Sequence, residues 1–111
     1  MNELKVLQIL NGSKYFVELL DYFTDNENIY LVNKHSSKTL RSVIAKTASP
    51  LLPEDQVRLI LIKIAKCLSK LHSKFIVHRD LRMDAIKVKS KKTKLKFQIG
   101  CFNFAYCLKK N

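Results

Sequence analysis

An apolar repeat in residues 53–72 restricts the possible folds of this chain more than any other feature. Pro53, Glu54 and Asp55 favour a helix start, because proline suits the first turn and acidic side chains stabilise the positive end of the helix dipole. The repeat predicts one long helix that ends near His72, with a wide buried face and a central position in the fold. Its apolar positions are Val57, Ile60, Leu61, Ile64, Leu68 and Leu71, widened by Leu59, Ile62 and Ala65.

Shorter periodic segments flank this helix on both sides. Runs rich in β-branched and aromatic residues, separated by polar turns, are typical of short antiparallel strands. Asn2 and Glu3 favour a helix at the start of the chain, and Ser36 or Ser37 is the expected N-cap of a second, short helix. The predicted class is α+β, in the order helix (2–10), strands (16–23 and 28–34), short helix (39–47), long helix (53–72), loop, and strands (85–89 and 94–100).

Length and cysteine content limit the class of protein. A chain of 111 residues makes at most one domain, since domains cluster near ~100–150 residues. No apolar run approaches the ~20 residues of a membrane span, and the N-terminus lacks the pattern of a signal peptide. Cys67, Cys101 and Cys107 show no CxxC spacing. We therefore expect reduced thiols, no zinc site, and a cytoplasmic or nuclear location.

The net charge of +12 is concentrated in residues 87–96, KVKSKKTKLK. A solvated hairpin accounts for this run, and the alternative is a patch that binds nucleic acid or an anionic membrane surface. The run contains no arginine and no aromatic residue, so nothing in it could read bases. This composition disfavours nucleic acid and anionic lipid as partners but leaves the alternative open.

The stretch FIVHRDLRMDAIKV, residues 75–88, lies between the long helix and the last two strands. With LHSKFIVHRDL at the helix end, NENIYLV in the second strand, and IGCFNFA in the place of I-x-D-F-G-x-A, the chain resembles the middle of a eukaryotic protein kinase domain. The resemblance covers essentially all 111 residues. It is nearest to Ser/Thr kinases, polo- or aurora-like ones among them. It implies a partial protein-kinase-like fold, with the end of the small lobe in residues 1–34 and the start of the helical large lobe in 35–111.

The resemblance also implies a role for several side chains. Asp80 matches the aspartate that accepts the proton of the substrate hydroxyl, and Arg79 matches the arginine that pairs with a phosphorylated activation loop. Arg82 stands in the catalytic loop where Ser/Thr kinases usually have lysine, and Glu3 matches the helix glutamate that orients the ATP-binding lysine. The hinge positions are Asn33, Lys34 and His35, and the positions of the regulatory spine are Leu7, Leu19, His78 and Phe102.

Other positions depart from the family pattern. Ala85 replaces the metal-binding asparagine of the catalytic loop, Cys101 replaces the aspartate of the DFG motif, and Asn103 replaces its glycine. Mg²⁺ requires hard oxygen ligands, which a methyl group and a thiol do not supply. Asp84 lies one residue from Ala85, but we expect its side chain to point to the other face. Lys87 stands where the family has an apolar residue beneath the adenine ring.

These departures favour a kinase-like domain fragment without phosphotransferase activity, which acts, if at all, as a binding or scaffold module for another protein. The glycine-rich loop, the strand lysine and the activation segment are also missing from the sequence. We expect no metal and no cofactor. One alternative is a piece of an active Ser/Thr protein kinase that uses ATP and Mg²⁺. A second alternative is a basic module that binds nucleic acid or acidic lipid.

Overall fold

The computed structural model describes residues 2–35, 38–46, 52–91 and 94–108, with backbone only for Asn2 and Lys91. Three two-stranded antiparallel sheets lie in these ranges, pairing β1 with β2, β3 with β6, and β4 with β5. The elements are α1 (Asn2–Leu10), β1 (Leu19–Thr24), β2 (Ile29–Asn33), α2 (Leu40–Ala45), α3 (Glu54–Ser73), β3 (Ile76–Val77), a 3-10 turn (Met83–Ala85), β4 (Ile86–Lys91), β5 (Lys94–Ile99) and β6 (Tyr106–Cys107). The predicted α+β class and the order of the main elements are confirmed.

The short helix α2 starts from a different cap than the sequence suggested. Ser36 and Ser37 lie outside the described residues, and Thr39 is the N-cap. The Thr39 hydroxyl accepts from the backbone N–H of Ser42 at 3.2 Å, and the Ser42 hydroxyl accepts from the backbone N–H of Thr39 at 3.0 Å. This reciprocal capping box satisfies two backbone donors that the first turn of a helix leaves unpaired.

The long helix α3 buries less of its surface than its apolar repeat predicts. Cys67 and Leu71 are its buried residues. Leu59 is 56% exposed, Leu61 59% and Ile62 47%. Among the described elements α3 packs on β3 and β5, so these cover only one side of the helix. The expected wide buried face is therefore wrong for the described chain, although both ends of the helix are confirmed to within one residue.

Two apolar clusters hold the described elements together. The larger cluster joins α1, the end of α3, β3 and the segment after β5 around the fully buried rings of Phe16 and Phe102. The smaller cluster joins α2 to the β4–β5 pair through Leu40, Val88 and Phe97. The loop that carries His78 and Asp80 runs between β3 and β4, so both clusters fix its ends.

None of the described helices is long and apolar enough to cross a membrane. All three cysteines carry free thiols, with Cys67 buried and Cys101 and Cys107 half-buried. The Cys67 thiol lies 3.8 Å from the carbonyl oxygen of Phe97, and burial raises its pKa above that of an ordinary thiol.

Candidate active site

His78 fixes the loop that follows β3. Its side chain is only 3% exposed. The Nδ1 atom accepts from the backbone N–H of Asp80 at 3.1 Å, and Nε2 lies 2.7 Å from the carbonyl oxygen of Gly100. Because Nδ1 acts as an acceptor, the hydrogen-bond network assigns the ring proton to Nε2, which donates to Gly100. One buried ring therefore ties the catalytic-loop segment to the segment that precedes Cys101.

Arg79 has a left-handed backbone conformation, with φ of 67°. Its Nε donates to the carbonyl oxygen of Phe104 at 2.6 Å. The guanidinium carbon lies 5.2 Å from the centre of the Tyr106 ring, within cation–π range. Arg79 thus anchors the segment after residue 101 to the catalytic loop. Its role toward a phosphorylated activation loop stays a prediction.

Asp80 belongs to a chain of alternating charges. Its carboxylate lies 3.3 Å from Nε of Arg82, and a second Arg82 nitrogen lies 3.4 Å from the carboxylate of Asp84. Arg41, in α2, reaches the other oxygen of Asp84 at 3.0 Å. The Asp80 side chain is the least exposed of the four, at 26%. Each of these partly solvated pairs contributes at most about 1 kcal/mol, but together they leave Asp84 with two cationic partners.

The two positions that correspond to metal ligands differ in their surroundings. Ala85 is fully buried, and its backbone carbonyl accepts from the N–H of Gly100 at 2.8 Å. Cys101 is half-buried and has a φ of 57°. This left-handed conformation costs most residues roughly 1–2 kcal/mol, and Asp, Asn and Gly tolerate it best. The backbone at residue 101 thus keeps a conformation suited to aspartate while the side chain is a thiol.

The four positions predicted for the regulatory spine are all buried, with exposures of 3% (Leu7), 7% (Leu19), 3% (His78) and 1% (Phe102). The rings of His78 and Phe102 lie 5.3 Å apart. Phe16, which the sequence reasoning missed, packs edge-on against Phe102 at 6.1 Å. The sequence placed Phe16 at the start of a strand over 16–23, but β1 begins at Leu19 and Phe16 forms an isolated bridge to Ile99.

Glu3 and the hinge positions lie apart from the charge network. Glu3 is half-buried, and burial raises the pKa of its carboxyl. Asn33, Lys34 and His35 are exposed. The backbone N–H of Lys34 donates to the carbonyl oxygen of Glu18 at 2.9 Å, so this hinge donor already has a partner. Lys87 is half-buried and donates from Nζ to the carbonyl oxygen of Asp84 at 3.1 Å, which offsets the cost of its burial.

The comparison with known proteins agrees with this architecture. A family model described as "Protein kinase domain" matches residues 1–111. This chain belongs to the protein kinase domain family. Its Ser/Thr-like character is confirmed by relatives that are themselves named as serine/threonine-protein kinases.

Three relatives illustrate the range of similarity. Serine/threonine-protein kinase PLK2 of Rattus norvegicus is 37% identical over 81 residues, which cover 73% of this chain and 12% of that protein. CDPK-related kinase 3 of Arabidopsis thaliana is 32% identical over 82 residues, 72% of this chain and 13% of that protein. A probable serine/threonine-protein kinase of Dictyostelium discoideum, fnkE, is 26% identical over 87 residues, which cover 76% of this chain and 7% of that protein. The chain thus matches only about a tenth of the length of these kinases.

Protein kinases hold Mg²⁺ between the catalytic-loop asparagine and the DFG aspartate, and these positions do not fit the ion here. Ala85 offers only a methyl group, and Cys101 offers a soft sulfur ligand where Mg²⁺ needs oxygen. Asp84 does carry oxygens, but both of them face guanidinium groups. Within the described residues, no three His, Cys, Asp or Glu side chains lie close enough together to hold a metal ion.

Proposed function

We propose that this member of the protein kinase family does not transfer phosphate from Mg-ATP and acts as a binding or scaffold module. The observation that carries the proposal is Ala85, a fully buried methyl group at the position of the metal-binding asparagine. Cys101, which has no oxygen, and the ion-paired Asp84 support it, because neither supplies the missing oxygen ligand, and Asn103 departs from the glycine of the family motif. We assign residues 1–34 to the end of a small lobe and 35–111 to the start of a large lobe.

The partner of such a module would be another protein. Apolar side chains on β1, β2 and the first half of α3 support this assignment, because large exposed apolar areas mark association surfaces. Leu20 and Phe23 in β1 are 57% and 55% exposed, and Leu61 in α3 is 59% exposed. We expect no metal or nucleotide cofactor to be needed for this association.

A phosphotransfer assay tests the proposal directly. Purified full-length protein that contains this chain is incubated with radiolabelled ATP, Mg²⁺ and a generic protein substrate, beside an Asp80→Asn variant. We expect equal and background incorporation of phosphate in both, because the side chain that would accept the hydroxyl proton has no metal-bound nucleotide to act upon. Turnover that Asp80→Asn abolishes would show that the chain is part of an active enzyme.

The alternative, a piece of an active Ser/Thr protein kinase, has one specific observation in its favour. Asp80 is present, it is partly exposed, and two hydrogen bonds to His78 fix the backbone of its loop. An active protein would need oxygen ligands for Mg²⁺ from elsewhere. The assay above separates the two functions, since only the active form responds to Asp80→Asn.

The replacement Ala85→Asn tests whether an asparagine side chain still fits at this position. Because the alanine side chain is fully buried, the larger amide must displace its neighbours or remain without hydrogen-bond partners. We expect a loss of about 1–3 kcal/mol in the free energy of unfolding, measured by urea titration. Ala65→Asn, at an exposed position of α3, is the matched control, with a cost of about 0.5 kcal/mol from helix propensity. Equal stability of Ala85→Asn and the parent would show that the space for an asparagine persists.

A further inference from the structure

The β4–β5 ribbon separates its lysines from its apolar residues. Val88 pairs with Phe97 across the ribbon, and both side chains are buried in the smaller cluster. Lys89 pairs with Lys96 in the next position of the register. Because successive side chains of a strand point to opposite faces, these two lysines share the face turned away from that cluster. Gln98 lies on the same face, and its side-chain amide donates to the backbone carbonyl oxygen of Lys14.

Lys89 and Lys96 lie directly opposite each other, an arrangement in which like charges destabilise an antiparallel pair. Lys34, just after β2, adds a third positive charge. The pKa of Lys89 is lowered by burial first and then by the charges of Lys34 and Lys96. Glu18 is the acid that opposes them, and it pairs with Lys34 at 3.6 Å. Lys34 and Lys96 therefore act on Lys89 as like charges that Glu18 offsets only in part, and a bound polyanion would relieve this repulsion.

We propose that Lys34, Lys89 and Lys96, here named the lysine site, bind the phosphate backbone of a nucleic acid without reading its sequence. Lysine ammonium groups act as point charges toward phosphates. Sequence reading needs arginine, amide or aromatic side chains that reach the bases. The one aromatic residue of the ribbon, Phe97, is buried on the opposite face.

A membrane surface fits the same charges less well. Peripheral membrane binding is strengthened when apolar side chains insert beside the cations. The exposed apolar residue of the ribbon is Leu95, which pairs with Ser90 and therefore lies on the opposite face from Lys89 and Lys96. The site thus offers charge without an inserting group, which favours a solvated polyanion.

The expected salt dependence follows from the number of lysines. Three neutralised phosphates give a slope of log affinity against log salt of about −2.1 for a single strand and about −2.7 for a duplex. Affinity should therefore fall roughly 15- to 40-fold between 50 and 200 mM salt. Each lysine removed from the site should reduce the slope by about one.

The test compares two triple variants of the full chain that carry the same net charge. The site variant is Lys34→Gln, Lys89→Gln and Lys96→Gln. The control is Lys5→Gln, Lys66→Gln and Lys74→Gln, which replaces exposed lysines on α1 and at the middle and end of α3. Both variants carry +9, from 12 − 3. The probes are a labelled single-stranded RNA and a labelled DNA duplex, each of about 20 nucleotides or base pairs, long enough to span several phosphates of the backbone. Binding is followed by fluorescence anisotropy at several salt concentrations.

We expect the site variant to lose at least about ten-fold in affinity at low salt and most of the salt slope, while the control keeps the parent's slope. The pair Lys89→Arg and Lys96→Arg, which preserves charge, should keep the parent's affinity, and far-UV circular dichroism checks that each variant is folded. Equal losses in the two triple variants would assign the binding to net charge alone and overturn the proposal. So would a parent that binds neither nucleic acid at 50 mM salt, or one that binds only phosphatidylserine vesicles.

Discussion

Replacing Phe102 by alanine should lower the free energy of unfolding by about 3–5 kcal/mol, the usual cost of removing a buried aromatic ring. The ring is 1% exposed and contacts two other rings, Phe16 at 6.1 Å and His78 at 5.3 Å. Its loss removes the apolar contacts that hold α1 against the segment after β5, and it leaves a cavity between them. The measurement is urea unfolding followed by circular dichroism at 222 nm.

Phe104 provides a control two residues away. Its side chain is 58% exposed, and its contribution to the site is a backbone carbonyl that Arg79 bonds, which alanine retains. Phe104→Ala should therefore change stability by no more than about 0.5 kcal/mol. Similar unfolding midpoints for the two alanine variants would contradict the packing of Phe102, and with it the buried stack that links the catalytic loop to the DFG position.

Local periodicity in the sequence was enough to predict most of the elements. The start and end of α3 follow from Pro53 and from the last apolar positions of its repeat. The β1–β2 and β4–β5 pairs follow from β-rich runs separated by polar turns. The β3–β6 pair could not be predicted in the same way. Its strands have two residues each, and Ile76 meets Cys107 only through tertiary packing.

Burial was harder to predict than secondary structure. Periodicity identifies apolar positions of a helix but does not say which of them another element will cover. Val57, Leu59 and Leu61 satisfy the repeat as well as Leu71 does, yet only Leu71 among these four is buried. The difference arises because β3 and β5 reach only one side of α3 among the described elements.

In the candidate site, too, the sequence predicted positions along the chain better than contacts between distant segments. The family resemblance predicted roles for His78, Asp80 and the positions of Ala85 and Cys101 from motif spacing alone. It gave no indication of Arg41, whose guanidinium meets Asp84 across 43 residues of sequence. The sequence argument held that Asp84 would point away from a metal site. Strand alternation does not apply to it, because Asp84 lies in the 3-10 turn Met83–Ala85, where two guanidinium groups face its oxygens.

Replacing His78 by alanine should lower the free energy of unfolding by about 2–4 kcal/mol, from two separate causes. The carbonyl oxygen of Gly100, in a buried residue, loses its donor at 2.7 Å, and an unpaired buried polar group costs about 1–3 kcal/mol. The Phe102 ring also loses a neighbour at 5.3 Å, which adds a cavity term. His72→Ala, at an exposed position near the end of α3, should cost less than about 0.5 kcal/mol.

His78→Phe separates these causes, because phenylalanine keeps a ring against Phe102 but makes neither hydrogen bond. Its cost should be about 1–3 kcal/mol, and the further loss in His78→Ala then measures packing. Both variants remove the acceptor at Nδ1 that holds the N–H of Asp80 at 3.1 Å. Hydrogen exchange at that amide should therefore speed up in both, even where His78→Phe remains stable. An unchanged exchange rate in His78→Phe would mean that the loop carrying Asp80 is held by its own backbone and by Arg79, and that His78 contributes only to packing.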